Sequence, residues 1–157
     1  MSTVHDLYEK YIAHTVREEL ISLEKRYVCN VRRSVGKIMR QRKLGRNRHV
    51  YLSTKALKHI YDRHIFDKRT PEDFLAILDN LIQIIKYPDR VYRNNPGKSG
   101  DFLFAKEIYG RIYLVILEVV SHENETTIEI VSASFTKERY LKKFALLWSG
   151  RTATPPS

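Results

Sequence analysis

The stretch PEDFLAILDNLIQIIK, residues 71–86, places Phe74, Leu75, Ile77, Leu78, Leu81, Ile82, Ile84 and Ile85 close together. A helix this apolar has to be covered on most sides. Its limits are legible in the flanking residues. Thr70 serves as cap, Pro71 takes the first helical position, and Glu72 and Asp73 put negative charge in the first turn. Pro88 biases Tyr87 away from helical angles, so the helix should end near Lys86. Upstream, VYLS (residues 50–53) reads as a brief extended segment, and Ser53 or Thr54 can cap a following helix that carries His59 and His64. Residues 4–26 follow a helical period through Leu7, Tyr11, Val16, Leu20 and Leu23. Val28, Val31, Val35 and Ile38 suggest a second, shorter helix, which Gly36 weakens by about 1 kcal/mol relative to alanine. LGRNRH, residues 44–49, reads as a loop.

Beyond Pro88 the period changes to that of strands. DRVYRN is short, NNPGKSG is a turn-rich loop, and DFLFAKEI, RIYLVILEVV and TTIEIVSASF are longer strands joined at YG and SHENE. The strand Arg111 to Val120 is apolar at nearly every position, which predicts a central place covered on both faces. A last helix is expected from about Thr136 to Leu147, turning Tyr140, Leu141, Phe144, Leu147 and Trp148 to the sheet. The order predicts an α+β fold: N-terminal helices, an antiparallel sheet of about four strands, and a C-terminal helix. Residues 1–49 are expected to form a basic helical extension, 50–149 the α+β domain, and 150–157 a tail too poor in hydrophobic residues to fold.

Charge adds a partner to this picture. The chain nets +10, and the charge is concentrated: from Lys25 to His49 there are ten lysines and arginines and no acidic residue. Arg32, Arg33, Lys37, Arg40, Arg42 and Lys43 are the candidate nucleic-acid contacts within that block, because unopposed cations attract polyanions and release their counterions. A solvated basic face with no ligand is the plainer alternative. The opening MSTVHDLYEKY lacks the layout of a signal peptide, no apolar run is long enough to span a bilayer, and the single Cys29 cannot form an internal disulfide. A reducing cytoplasm and no membrane partner are the expectation. No Cys/His spacing resembles a zinc site, and no cofactor is implied.

Candidate chemistry lies in KALKHIYDRHIFDKRTPEDF, residues 55–74. On a helical wheel Leu57, Ile60, Tyr61 and His64 share one side, while Lys55, His59, Asp62 and Arg63 share the other. His64 should therefore point inward, either as a core histidine bonded to a carbonyl or as a catalytic group. His59 and Arg63 should stand near solvent, one turn apart. Lys106 interrupts an apolar strand on the side of Phe102 and Phe104. It either snorkels out at a sheet edge or meets an anion. Simple alternation puts Ile128, Ile130, Ser132 and Ser134 on one strand face, with Thr136 just beyond. Imidazole, ammonium, guanidinium and hydroxyls without a carboxylate cluster suit one reaction, cleavage of RNA by its own 2′-hydroxyl. That reaction needs a base, an acid and donors for the charged phosphorane.

HIYDRH before a long apolar helix, then YPDRVYRN, the Lys106 strand, RIYLVILEVV, and IVSASFT leading into a final helix carry a resemblance. From about Tyr51 to Trp148 the chain resembles the barnase–EndoU–colicin–RelE-like nuclease superfamily, in particular its phage-associated branch. The resemblance implies a metal-independent endoribonuclease with N-terminal helices on a four-stranded antiparallel sheet. It also implies a toxin or phage-defence role, RNA (tRNA or mRNA) as partner, and an antitoxin or immunity protein as a second one. It places the helix histidine on His64, the strand lysine on Lys106 and the hydroxyl before the last helix on Ser132. His59 is then the second proton carrier or a surface residue, and Arg63, Ser134 and Thr136 are phosphate ligands. The competing class is a non-catalytic nucleic-acid-binding protein that works through its basic N-terminal helices.

Overall fold

Thr70 caps its helix as the flanking residues predict: its Oγ1 accepts a hydrogen bond from the Asp73 amide at 3.2 Å, and Pro71 opens the helix. This helix, α4 (Pro71–Lys86), buries Phe74, Ile77, Leu78, Leu81, Ile84 and Ile85. At roughly 1.5 to 3 kcal/mol for each large side chain removed from water, it is the element on which the core depends most. The computed structural model describes residues 3–9, 24–40, 47–66, 70–123 and 125–150.

The elements before α4 are α1 (Thr3–Tyr8), β1 (Lys25–Asn30), α2 (Arg33–Arg40), β2 (His49–Ser53) and α3 (Thr54–Phe66). After it come β3 (Arg90–Arg93), β4 (Phe102–Ile108), β5 (Arg111–His122), β6 (Glu125–Thr136), α5 (Glu138–Leu141) and β7 (Ala145–Ser149). The fold is α+β, but the sheet has seven strands in the order β1-β2-β6-β5-β4-β3-β7, not about four. It is also mixed, since β2 runs parallel to β6 while the other pairs are antiparallel.

Three expected helices are corrected by this. The second N-terminal helix resolves into β1, paired with β2, followed by α2. The C-terminal helix stops after one turn as α5, and the apolar residues that follow become β7 on the edge of β3. Of the helix expected over residues 4–26, α1 is its start; residues 10–23 lie outside the described residues, and residues 25 and 26 belong to β1.

β5 is the central strand, as its apolar run predicts. Its hairpin with β4 turns through Tyr109 (φ 50°) and Gly110 (φ 79°), the pair of positive angles that a two-residue hairpin of native twist needs. One sheet face packs under α3 and α4: Phe102, Phe104, Tyr113, Val115, Leu117, Ile128 and Ile130 join Leu57, Ile60 and the α4 residues in the main core. The other face carries a smaller cluster in which Leu141 and Phe144 cover Tyr92, Leu103, Ala105 and Leu114. The parallel β2–β6 pairing spans only Val50↔Ile128 and Tyr51↔Glu129. Past Ile130, α3 therefore lies along β6 where a further strand would otherwise pair.

No helix among the described residues is long and apolar enough to cross a membrane. Cys29 is buried in the core, and burial pushes its thiol up to about 12.

Candidate functional site

α3 sorts its side chains as the wheel predicts. Leu57, Ile60 and His64 are buried, whereas His59, Asp62 and Arg63 are exposed. His64 is only 6% exposed; its Nε2 donates to the Thr70 carbonyl at 2.7 Å, and its ring lies 5.6 Å from that of Phe74. The residue fastens α3 to the cap of α4. Lys106 does the corresponding work at the other end of that helix. Its Nζ donates to the Tyr87 carbonyl at 2.7 Å and stands 3.7 Å from the Asp89 carboxylate. Thr70 and Tyr87 are the two caps of α4, whose length is about 24 Å at 1.5 Å per residue. The structure therefore does not bring His64 and Lys106 together: their bonds are made at opposite ends of α4.

The hydroxyls require a correction of strand geometry. In the β5–β6 ladder Ile116 faces Ser132 but Leu117 faces Ile130, so Val131 is an extra residue in β6. This bulge reverses the alternation. Ile128 and Ile130 point into the main core, while Ser132, Ser134 and Thr136 pair with Ile116, Leu114 and Ile112 and belong to the opposite face. Lys106, in line with Phe102 and Phe104, stays on the helix-covered side.

What the bulge separates from Lys106 it brings to α3. A cleft of about 520 Å³ is lined by His59 and Arg63 from α3, Ser132, Ser134 and Thr136 from β6, Lys98 and Ser99 from the β3–β4 loop, and Tyr140 from α5. Leu103, Leu114 and Ile116 form its apolar floor. Five of the candidate residues thus meet in one place, and no carboxylate is among the lining residues. A small cavity of about 30 Å³ between α3 and β6 touches His64 and shares Arg63, Ser134 and Phe135 with the cleft, so His64 sits one layer behind it.

Neighbouring bonds hold the cleft open. Asn94, 8% exposed, donates from Nδ2 to the carbonyls of Ser99 (2.8 Å) and Gly100 (3.1 Å), and its Oδ1 accepts from the Asn95 amide at 2.9 Å. That fixes the loop bearing Lys98. Gly100 has φ 90°, and a Cβ there would meet Ile116 Cγ2 at 2.3 Å, so this corner admits only glycine. On the other flank α5 is held by Glu138, which takes two bonds from Arg90 at 2.7 and 2.8 Å. The Arg90 guanidinium holds the Glu138 carboxyl below its usual range.

Sequence reasoning missed Lys98, Asn94 and Tyr140 as site residues. Tyr140 was expected in the core, yet it is 42% exposed. The available signal for Lys98 was a lone cation in a loop whose glycines and asparagines bend it back on itself. Of the expected nucleic-acid contacts, Arg32, Arg33 and Lys37 are exposed and away from the cleft, with the Arg32 guanidinium 5.4 Å from the Trp148 ring centre. The Arg40 side chain, Arg42 and Lys43 lie outside the described residues. Among the described residues, no group of three or more His, Cys, Asp or Glu could hold a metal ion.

An exposed imidazole, a guanidinium, an ammonium and the hydroxyls of Ser132, Ser134 and Thr136 around one cleft can bind an anion and move a proton at its edge. No curated protein and no solved structure matches the chain significantly. The family model described as phage-Barnase-EndoU-ColicinE5/D-RelE like nuclease3 matches residues 33–141, from the first residue of α2 to the last of α5, which spans every residue that lines this cleft. The chain belongs to that nuclease family.

Proposed function

We propose that the protein is an endoribonuclease that cleaves RNA by attack of the 2′-hydroxyl on the adjacent phosphorus, without a metal ion, in the role of a toxin or phage-defence effector. The observation that carries this reading is the single cleft in which His59 and Arg63 meet Ser132, Ser134 and Thr136. His59 takes the 2′ proton as the O2′–P bond forms. Arg63 and the three hydroxyls donate to the non-bridging oxygens, whose charge grows in the phosphorane. The P–O5′ bond then breaks, and the Lys98 ammonium protonates the departing oxygen. The products are a 2′,3′-cyclic phosphate and a 5′-hydroxyl. The absence of a carboxylate from the lining favours the approach of a phosphodiester, which would otherwise meet like charge. His64 and Lys106 act in this reading as positioning residues at the two ends of α4.

Purified protein incubated with total RNA in excess EDTA, followed by end-group analysis, tests the proposal. Cyclic phosphate ends are expected, and His59→Ala should lower the rate by about 100-fold or more. A requirement for magnesium, or full activity in His59→Ala, would remove the mechanism.

A further inference from the structure

The cleft continues past Tyr140. A second groove, of about 840 Å³, shares Phe135, Thr136 and Tyr140 with it and runs toward the β4–β5 turn at Gly110. Four cations line it: Arg111, Lys137, Arg139 and Lys143. Its one carboxylate, Glu138, is already neutralised by Arg90. Arg111 is held in place by Asp73 at 2.7 Å, and its guanidinium stacks 3.6 Å from the centre of the Phe135 ring. Lys137, Arg139 and Lys143 have no ion-pair partner among the described residues, so their mutual repulsion is relieved by an anion that enters the groove. Between groove and cleft stands the exposed ring of Tyr140, with Lys143 Nζ 5.5 Å from its centre and Phe144 against its edge.

Cations interleaved with flat π surfaces are the means by which proteins hold single strands: phosphates follow the charges and unstacked bases lie on the rings. We infer that this groove is the track for single-stranded RNA on one flank of the scissile linkage. Phosphates lie along Lys137, Arg139 and Lys143, and bases stack on Tyr140 and on the Arg111–Phe135 pair. This rests on reading the cleft as a ribonuclease site. A duplex offers no unstacked base to these surfaces and gains little from them.

The test uses the full chain and a triple variant, Lys137→Gln/Arg139→Gln/Lys143→Gln, whose altered residues are exposed and outside the cleft. The first arm measures binding of a fluorescent single-stranded 2′-O-methyl RNA 12-mer, which cannot undergo 2′ attack. The variant should bind about 10-fold more weakly at about 0.1 M salt, with the log–log salt slope reduced by about 2 for three lost phosphate contacts on a single strand. In the second arm KM for an unmodified 12-mer should rise about 10-fold with kcat unchanged, and cleavage of a dinucleoside monophosphate should not change. Equal binding and KM in the two proteins would overturn the inference, as would an equal loss on the duplexed 12-mer. The binding arm needs no cleavage, so failure of the track and failure of the catalytic reading are separately visible.

Discussion

The His64 Nε2 proton is committed to the Thr70 carbonyl, and that bond settles how the residue can be tested. Removing the ring would take a hydrogen bond and the Phe74 contact from the junction of α3 and α4, in a site only 6% exposed. His64→Ala should lower unfolding free energy by about 1 to 3 kcal/mol in urea titration. Any loss of cleavage should follow the loss of folded protein. If instead the variant unfolds like the parent and still loses RNA cleavage by orders of magnitude, His64 takes part in the chemistry directly. His59 is exposed and lines the cleft, so its alanine variant should show the opposite pattern, with stability nearly unchanged and activity lost. The helical wheel separated these two histidines from sequence alone, because burial along a helix follows the period of 3.6. It could not show which carbonyl His64 meets, since Thr70 belongs to the next helix.

At the scale of elements, local pattern succeeded where one segment decides its own state and failed where a partner decides. α4 carries its cap, its proline and its apolar run within one stretch, and all are found where expected. β1 and α2 look like one helix in sequence because Val28, Val31 and Val35 keep helical spacing across the junction of a strand and a helix. Only pairing with β2 shows the difference. β7 looks like the end of a helix for the same reason, and β3 supplies the edge that makes it a strand. Val131 is the costliest case for the site: nothing in IEIVSAS marks a bulge, yet one extra residue moves three hydroxyls to the other face of the sheet. α5, a single turn beside the cleft, is anchored by the buried Leu141 and also carries the Arg90–Glu138 pair. The Glu138 carboxyl is lowered below its ordinary value of 4.5 by Arg90, so the pair contributes fully above that pH and is lost as pH falls through the lowered value. Because Glu138 is half exposed, the contribution is small and screened by salt. Parent and Glu138→Gln should differ by about 0.5 kcal/mol in urea unfolding at neutral pH. The difference should shrink as the experiment is repeated toward pH 2, and a constant difference would mean that packing, not charge, holds α5.

For the molecule as a whole, the sheet curves around α4, which touches β1 as well as β4, β5 and β6. The element that follows one edge strand reaches the other edge, α2 against β7 and Arg32 over Trp148. This closure leaves two basic regions. One is the cleft with its groove, lined by α3, α5 and the neighbouring ends of β5 and β6. The other lies near the C-terminal end of α4, where Arg32, Arg48 and Lys86 line a depression and the exposed Arg33 and Lys37 stand on the adjoining α2. The concentration of charge in residues 25–49 was plain in the sequence. That its described members Arg32, Arg33, Lys37 and Arg48 stand apart from the cleft was not, because separation in space is set by how the strands and helices pack. On the proposed ribonuclease reading, the two regions make different contributions to RNA binding. Cations remote from the scissile phosphate add affinity through counterion release and leave the chemical step alone. Arg33→Gln/Lys37→Gln should therefore weaken binding of a long RNA about threefold to tenfold at about 0.1 M salt and reduce its salt slope by about 1.4. It should leave kcat and the cleavage of a dinucleoside monophosphate unchanged. If the same variant abolishes all RNA binding while His59→Ala alters neither binding nor any cleavage, the α2 surface is the working one and the protein binds nucleic acid without cutting it. If neither property changes, the basic block is a solvated face, and the cleft with its groove accounts for RNA recognition alone.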